Sequence, residues 1–112
     1  MPIELTELER GVMELLLAGD DPILKVLREQ YRHAEVVSRD ETGAGFYVHF
    51  SVASQATRLD PGKSLHFGDV KAEIEGLQYG AGFVLHVRHG AIDCLEGYSY
   101  DERWPVNVAR FR

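Results

Sequence analysis

The 112-residue chain has the length of one ordinary domain, and its apolar fraction of 45% is enough for a hydrophobic core and excludes a disordered polymer. Its formal net charge of −6 argues against nucleic acid as the main partner, because phosphate binding needs a basic surface. The charge is compatible with a basic protein partner or simply with solubility. The single cysteine, Cys94, excludes an internal disulfide and favours the reducing cytoplasm, and no apolar run is long enough to cross a membrane.

Two amphipathic helices are predicted at the start of the chain. Thr6 and Glu9 have the spacing of a capping box, and apolar residues then recur at helical spacing. Asp21 followed by Pro22 is a second helix start, and another apolar stripe follows it. The predicted helices cover about 6–18 and 21–34.

After the helices the apolar period changes to two, which predicts β-strands. The strand patterns cover 36–39, 46–52, about 70–75, 83–88 and 92–100. Residues 53–65 are predicted to be a loop around the turn signal Asp60-Pro61-Gly62. We therefore predict an α+β fold in which two N-terminal helices pack on one face of an antiparallel sheet of four to six strands. A single domain would cover 1–112, with a C-terminal tail at 101–112.

A short repeat marks two of these strands. Gly-Ala-Gly-Phe occurs at 43–46 and again at 80–83, and each copy has a histidine three residues beyond its phenylalanine, at His49 and His86. The simplest interpretation is a glycine-containing strand entry with the phenylalanine in the core. A functional role for the repeat stays open.

The pair His89-Gly90 predicts a two-residue hairpin turn between the last two strands. Counting outward from this turn predicts the register, because a fixed loop length fixes the pairing. The predicted pairs are Arg88 with Ala91, Val87 with Ile92, His86 with Asp93 and Leu85 with Cys94. His86 and Asp93 then share the polar face of the sheet, and Cys94 is a small buried group on the opposite face.

A row of ionisable groups is predicted on that polar face. A four-residue loop at 78–81 would bring Glu73 opposite His86, and His49 joins them if its strand enters the same sheet in the same sense. A histidine between two carboxylates can be an acid–base site or an ordinary cross-strand pair. A metal held by His49, His86 and Asp93 is an alternative. The sequence contains no complete metal-binding, nucleotide-binding or catalytic motif, so we expect no cofactor.

Glu96 falls on the core-facing phase of the same register, opposite Phe83. A carboxylate in that position should be paired or hydrogen-bonded, because burying an unpaired charge is costly. The alternative is that the strand bulges next to Gly97 and leaves Glu96 beyond the edge of the core.

The most distinctive stretch is the run at 95–105, which mixes aromatic and acidic side chains. Tyrosine, tryptophan and arginine anchor many protein interfaces, and neighbouring carboxylates suit a basic partner. The candidate partner-binding residues are Tyr98, Tyr100, Asp101, Glu102 and Trp104. The alternative role for Trp104 is to fold back and cover the edge of the core.

Several short motifs together resemble a group of small bacterial proteins without an assigned activity. The motifs are EGL at 75–77, GAGF at 80–83, LEGY at 95–98, YDE at 100–102 and WP at 104–105. The resemblance covers most of the chain and implies a compact bacterial domain. It brings no activity and no site residues with it.

Two functions follow as expectations. The preferred one is a non-enzymatic module that binds a protein partner, similar in general character to bacterial toxin-neutralising immunity proteins. An exposed edge strand could also pair two copies of the chain into a homodimer. The alternative is a small-molecule-binding, metal-binding or hydrolytic site on the face of His49, Glu73, His86 and Asp93. We expect a cytoplasmic protein with neither nucleic acid nor membrane as its partner.

Overall fold

A computed structural model of the protein describes residues 4–53, 57–59, 64–100 and 102–105. Two helices pack with an antiparallel sheet of five strands, so the predicted α+β class is confirmed. The predicted turn at Asp60-Pro61-Gly62 and the candidate residue Asp101 lie outside the described residues. No helix in the described part of the chain is long and apolar enough to cross a membrane.

Both helices begin at the predicted capping residues. Helix α1 (Glu7–Leu16) has the complete capping box: Glu9 N donates to the Thr6 hydroxyl at 3.2 Å, and Thr6 N donates to Glu9 Oε1 at 2.9 Å. Helix α2 (Pro22–His33) has Asp21 as its N-cap, and this carboxylate accepts a backbone hydrogen bond at 2.8 Å. These contacts satisfy N–H groups that the first helical turn leaves without partners.

Five strands form the sheet in an order that differs from their order along the chain. They are β1 (Glu35–Glu41), β2 (Gly45–Ser51), β3 (Leu65–Ala72), β4 (Ala81–Arg88) and β5 (Ala91–Ser99). Their spatial order is β1-β2-β5-β4-β3, and every neighbouring pair is antiparallel. The last of these strands along the chain therefore lies at the centre. β3 begins earlier than the alternation at 70–75 indicated, because a bulge between Phe67 and Val70 interrupts the two-residue period.

The two helices cover one face of the sheet, where the hydrophobic core lies. Helix α1 contacts β3, and α2 contacts β5. The buried core joins one set of side chains from the helical region, Leu8, Val12, Met13, Leu16, Leu17 and Leu27, to the inward side chains of the strands, among them Phe46, Val48, Phe50, Phe83, Leu85, Val87, Ile92 and Leu95. We call the other side of the sheet the open face, because no described helix covers it.

Two buried polar side chains tie the helices to the sheet. Glu9 is 2% exposed and forms an ion pair with Arg39 of β1, with Arg39 Nη2 at 2.9 Å from Glu9 Oε1. Gln30 of α2 is 1% exposed and reaches the turn between β4 and β5, where Nε2 donates to Gly90 O and Oε1 accepts from Ile92 N, both at 3.0 Å. Buried polar groups need such partners, and here they also fix the helices in place.

The predicted turn between β4 and β5 is confirmed. His89 and Gly90 have φ angles of 53° and 76°, which a two-residue turn of this kind requires. The two residue pairs nearest the turn also match the prediction, Arg88 with Ala91 and Val87 with Ile92.

Beyond these pairs the predicted register is wrong, because β5 contains a bulge. His86 pairs with Cys94 and not with Asp93, and Leu85 pairs with Leu95 and not with Cys94. The additional residue on β5 is Asp93. One extra residue exchanges the two faces for everything that follows it in the strand.

The predicted position of Glu73 is also wrong. β3 ends at Ala72, which pairs with Ala81, and the partner of His86 on β3 is His66. The connection between β3 and β4 is longer than the four residues assumed in the prediction. Glu73 therefore lies beyond the end of the strand.

The two phenylalanines of the repeat flank the central strand at Gly97. Phe46 and Phe83 both pair with Gly97, and their ring centroids are 6.4 Å apart in the core. A Cβ on Gly97 would lie 2.4 Å from the Phe46 ring, so a larger residue there would force that ring to move. The first glycines of the two copies, Gly43 and Gly80, have φ of +88° and +71°. The interpretation of the repeat as a strand entry with a buried phenylalanine is confirmed.

Candidate functional site

The open face carries a row of ionisable side chains on four neighbouring strands. His49 of β2 and His86 of β4 both pair with Cys94 of the central strand, and His66 of β3 pairs with His86. The two histidines of the repeat therefore share a face, as predicted. Cys94 lies between them and not on the face opposite His86, which corrects its predicted position.

Two imidazoles of this row are paired with carboxylates. His86 Nε2 lies 3.0 Å from Glu96 Oε1, and His49 Nε2 lies 3.1 Å from Asp40 Oδ2. Because an ionised carboxylate only accepts, the proton in each contact belongs to the ring nitrogen. Tyr47 donates to the second oxygen of Glu96 at 3.2 Å. The negative charge of Glu96 raises the pKa of the Tyr47 phenol, which keeps it a donor.

Glu96 contacts both Tyr47 and His86. Its predicted position opposite Phe83 in the core is wrong. The bulge moves Glu96 to the open face, and Gly97 takes the place opposite Phe83. The presence of the Glu96 carboxylate at a predicted core position was the signal that could have revealed the wrong register. A charge on the apolar phase of a predicted strand indicates either a special partner or a shifted register.

The other two members of the predicted polar face lie elsewhere. Asp93 Oδ2 is 3.6 Å from Arg88 Nε, next to the turn. Glu73 is exposed beyond the end of β3. The predicted row of Glu73, His86 and Asp93 is therefore not formed. His66 and Glu96 stand next to His86 in their place.

Cys94 is 5% exposed although it lies on the open face. Burial raises the pKa of its thiol to about 11, and the neighbouring Asp93 carboxylate adds to the shift. The thiolate is the form that attacks substrates and binds metals. Cys94 is therefore a protonated, unreactive thiol at neutral pH.

The open face is a hydrogen-bonding surface. Within the described residues, no three histidine, cysteine, aspartate or glutamate side chains are placed to hold a metal ion. The Nε2 atoms of His49 and His86 are engaged by Asp40 and Glu96, which leaves them unavailable to a metal unless those contacts break.

Trp104, a predicted partner-binding residue, packs against the core. Its indole meets the rings of Phe46 and Phe83 edge-on, at centroid distances of 5.3 and 6.5 Å. Its backbone N–H donates to Gly43 O at 2.7 Å. Trp104 therefore takes the alternative role, which is to cover the edge of the core.

Glu102 joins the C-terminal segment to the connection between β3 and β4. Its two carboxylate oxygens accept from Gln78 N at 2.9 Å and from Tyr79 N at 3.0 Å. Because these contacts satisfy two loop N–H groups, Glu102 holds Tyr79 in position.

Tyr98 and Tyr100 form an aromatic corner beside this segment. Their rings are 5.6 Å apart and inclined at 80°. A Cβ on Gly82 would come within 2.5 Å of the Tyr98 ring, so the glycine leaves room for it. Burial raises the pKa of the Tyr98 phenol, and its hydrogen bond with Tyr100 adds to the shift. The ring of Tyr98 thus packs against Tyr100, which is the more exposed of the two.

An open cleft of about 870 Å³ lies where β3 ends. Its lining includes Lys71, Glu73, Glu75, Leu77, Tyr79 and Tyr100. Tyr79 is 64% exposed and Tyr100 is 37% exposed. Among the described residues, the only other exposed large hydrophobic side chains are Leu15 and Val37. The sequence did not single out Tyr79, because its proximity to Tyr100 depends on the folded C-terminal segment.

Comparison of this chain with protein-family models, with curated proteins and with solved structures finds no match. The geometry of the cleft and of the open face is therefore the basis for assigning a function.

Proposed function

We propose that the protein is a non-enzymatic binding module that receives a basic segment of a partner protein in the cleft at the end of β3. The observation that carries this proposal is the position of Tyr79 and Tyr100, two exposed aromatic side chains that line one cleft. Tyrosine is a common interface anchor because it combines a large, rigid contact area with a polar tip. We place the function in the cytoplasm, the compartment that a lone cysteine favours.

The charge of the cleft supports a basic partner. Glu73 and Glu75 line it together with Lys71, and the whole chain has a formal net charge of −6. A lysine or arginine side chain can lie over a tyrosine ring while its charged end approaches a carboxylate. The cleft volume of about 870 Å³ is within the range of ligand sites, so it can accept side chains of a partner.

Tyr79 and Tyr100 are better test positions than Trp104 or Glu102. Trp104 packs on the core and Glu102 braces a loop, so changing either would alter the fold as well as the surface. Tyr79 can be truncated with little loss of buried contact, whereas Tyr100, which is 37% exposed, also packs on the ring of Tyr98.

Site-specific photo-crosslinking in the native host tests the proposal. A crosslinking residue replaces Tyr79 in one variant and Leu15 in the control variant, since these side chains are 64% and 65% exposed. We expect one protein to be captured from position 79 and not from position 15, and mass spectrometry should locate the contact in a basic segment of it. Capture from both positions, no capture, or a contact in an acidic segment would contradict the proposal.

Binding of the captured partner then measures the contribution of the cleft. The double variant Tyr79→Ala/Tyr100→Ala should weaken binding by about 2 kcal/mol or more if the tyrosines are anchors. The single variant Tyr79→Ala, at a side chain that is 64% exposed, should keep its urea unfolding midpoint near that of the unmodified protein. Unchanged affinity would overturn the assignment of the cleft.

A second candidate function is small-molecule or metal binding on the open face. The connected contacts of Tyr47, Glu96 and His86 favour its small-molecule form, since the two members of the ion pair are only 26–27% exposed. Calorimetric titration with zinc or manganese, with the NMR signals of the His86 ring as reporter, tests its metal-binding form. Heat with a displaced His86 signal would support it, and a flat titration with an unmoved signal would remove it.

A further inference from the structure

A second groove, of about 700 Å³, lies beside the ends of the helices and the first strand. Its apolar lining consists of Leu5, Tyr31, Ala34, Val36 and Phe50. All of these side chains are buried or pack against the core, so they form a fixed base. The groove shares no lining residue with the cleft at the end of β3.

Two arginines from different helices line this groove. Arg10 belongs to α1 and Arg32 to α2, and both are exposed. Arg32 pairs with Glu29 at 3.4 Å, but the side chains are 71% and 60% exposed, so water screens the pair and another anion can replace it. Arg10 forms no ion pair within the described part of the chain. Two guanidinium groups and an apolar base therefore line the same groove.

Tyr31 adds a hydrogen-bond donor to the same groove. Burial raises the pKa of its phenol, and the charge of Glu14 adds to the shift, so the hydroxyl keeps its proton at neutral pH. A neutral phenol can donate to an anion that the arginines hold.

We propose that this groove binds a small molecule with a single carboxylate and an apolar body. Guanidinium groups match the planar geometry of a carboxylate, and both Arg10 and Arg32 line the groove. The hydrocarbon part would lie on Val36 and Phe50. Glu4 and Glu35 also line the groove, and their charges disfavour ligands with several negative groups. This site goes beyond the partner-binding function and does not depend on it.

Titration of the full chain with 3-phenylpropionate, followed by two-dimensional NMR, tests the proposal. Its controls are 3-phenylpropanol, which lacks the carboxylate, and inorganic phosphate, which lacks the apolar body. We expect saturable shifts at Tyr31, Val36 and Phe50 with phenylpropionate. Binding should be at least about tenfold weaker with either control, since the alcohol loses the charged hydrogen bonds and phosphate loses the burial of the apolar body.

Arginine variants distinguish binding of the carboxylate by the two guanidinium groups from nonspecific binding of the apolar ligand. Arg10→Ala/Arg32→Ala should weaken phenylpropionate binding by about tenfold or more. Arg88→Ala is the matched control, because Arg88 is an exposed arginine that does not line the groove, and it should bind as the unmodified chain does. Absence of saturable shifts, equal binding of the alcohol or of phosphate, or binding that survives the double arginine change would each overturn the proposal.

Discussion

The two faces of the sheet carry the same kind of charged pair in opposite surroundings. On the helix-covered face, Glu9 and Arg39 have side-chain exposures of 3% and 23%. On the open face, Glu96 and His86 have exposures of 26% and 27%. Water cannot replace a lost partner of the buried carboxylate, but it can reach the carboxylate on the open face. The covered pair therefore fixes the fold, and the open pair can change partners at small cost.

Removing the arginine of the covered pair should give the largest loss of stability. Arg39→Ala leaves the Glu9 carboxylate buried beside the core, and breaking such a pair costs about 3–5 kcal/mol. Urea unfolding measures the free energy. Arg88→Ala removes an exposed arginine with a carboxylate neighbour at 3.6 Å and should cost less than about 1 kcal/mol. Equal losses from the two variants would break the comparison between the faces.

Gln30→Ala should give the second-largest loss, about 2 kcal/mol, because it removes three hydrogen bonds and leaves the buried Ile92 N–H without its partner. The amide of Gln30 contacts Thr57 O, Gly90 O and Ile92 N, each at 3.0 Å. Hydrogen exchange of the Ile92 amide gives a local measurement, and it should become faster. A destabilised variant with unchanged Ile92 exchange would show that the loss comes from packing and not from these hydrogen bonds.

The thiol on the open face should make stability depend on alkaline pH. Burial raises the pKa of Cys94 from 9.0 to about 11, so the folded state holds the proton more tightly than the unfolded state does. The stability that the protonated Cys94 thiol contributes is fully present below pH 9 and is lost as pH rises through about 11. When urea midpoints are plotted against pH, the curve of the unmodified chain should therefore fall more steeply across this window than the curve of Cys94→Ala. Parallel curves would mean that Cys94 ionises freely in the folded protein.

The smallest expected effect belongs to the open pair itself. A double-mutant cycle with His86→Ala and Glu96→Gln should give a coupling of about 0.2–1 kcal/mol, because water reaches both partly exposed side chains. A coupling above about 2 kcal/mol would show that the open face behaves like the covered one. It would then be part of the folded scaffold and a poor candidate for ligand exchange.

Local signals were enough to predict the helices and the last turn, but not the whole register. The pattern Thr6…Glu9 and the pair His89-Gly90 each contain the chemistry that forms the observed cap and turn. The bulge at Asp93 has no such signal, because an extra residue in a strand need not be glycine or proline. Everything counted outward from the turn beyond that point, Glu96 included, was therefore assigned to the wrong face.

The candidate cleft was only partly predictable for a different reason. The sequence indicates that aromatic residues cluster near 98–104, but it does not show which of them face solvent. Trp104 packs against two phenylalanines from distant strands, whereas Tyr100 stays exposed. Tyr79 reaches the same cleft through a contact with Glu102 that spans 23 residues. Such long-range contacts are a product of the fold and leave no local pattern.

The central position of β5 has a consequence for the growing polypeptide on the ribosome. β2 and β4 each need β5 as a neighbour, yet β5 is the last of the described strands to be synthesised. Until residues 91–99 leave the exit tunnel, the nascent chain can form its helices and local hairpins but cannot close the sheet between them. A stall or a premature stop before this segment would release a chain with two open strand edges, which is a substrate for chaperones or proteases and not a smaller working protein.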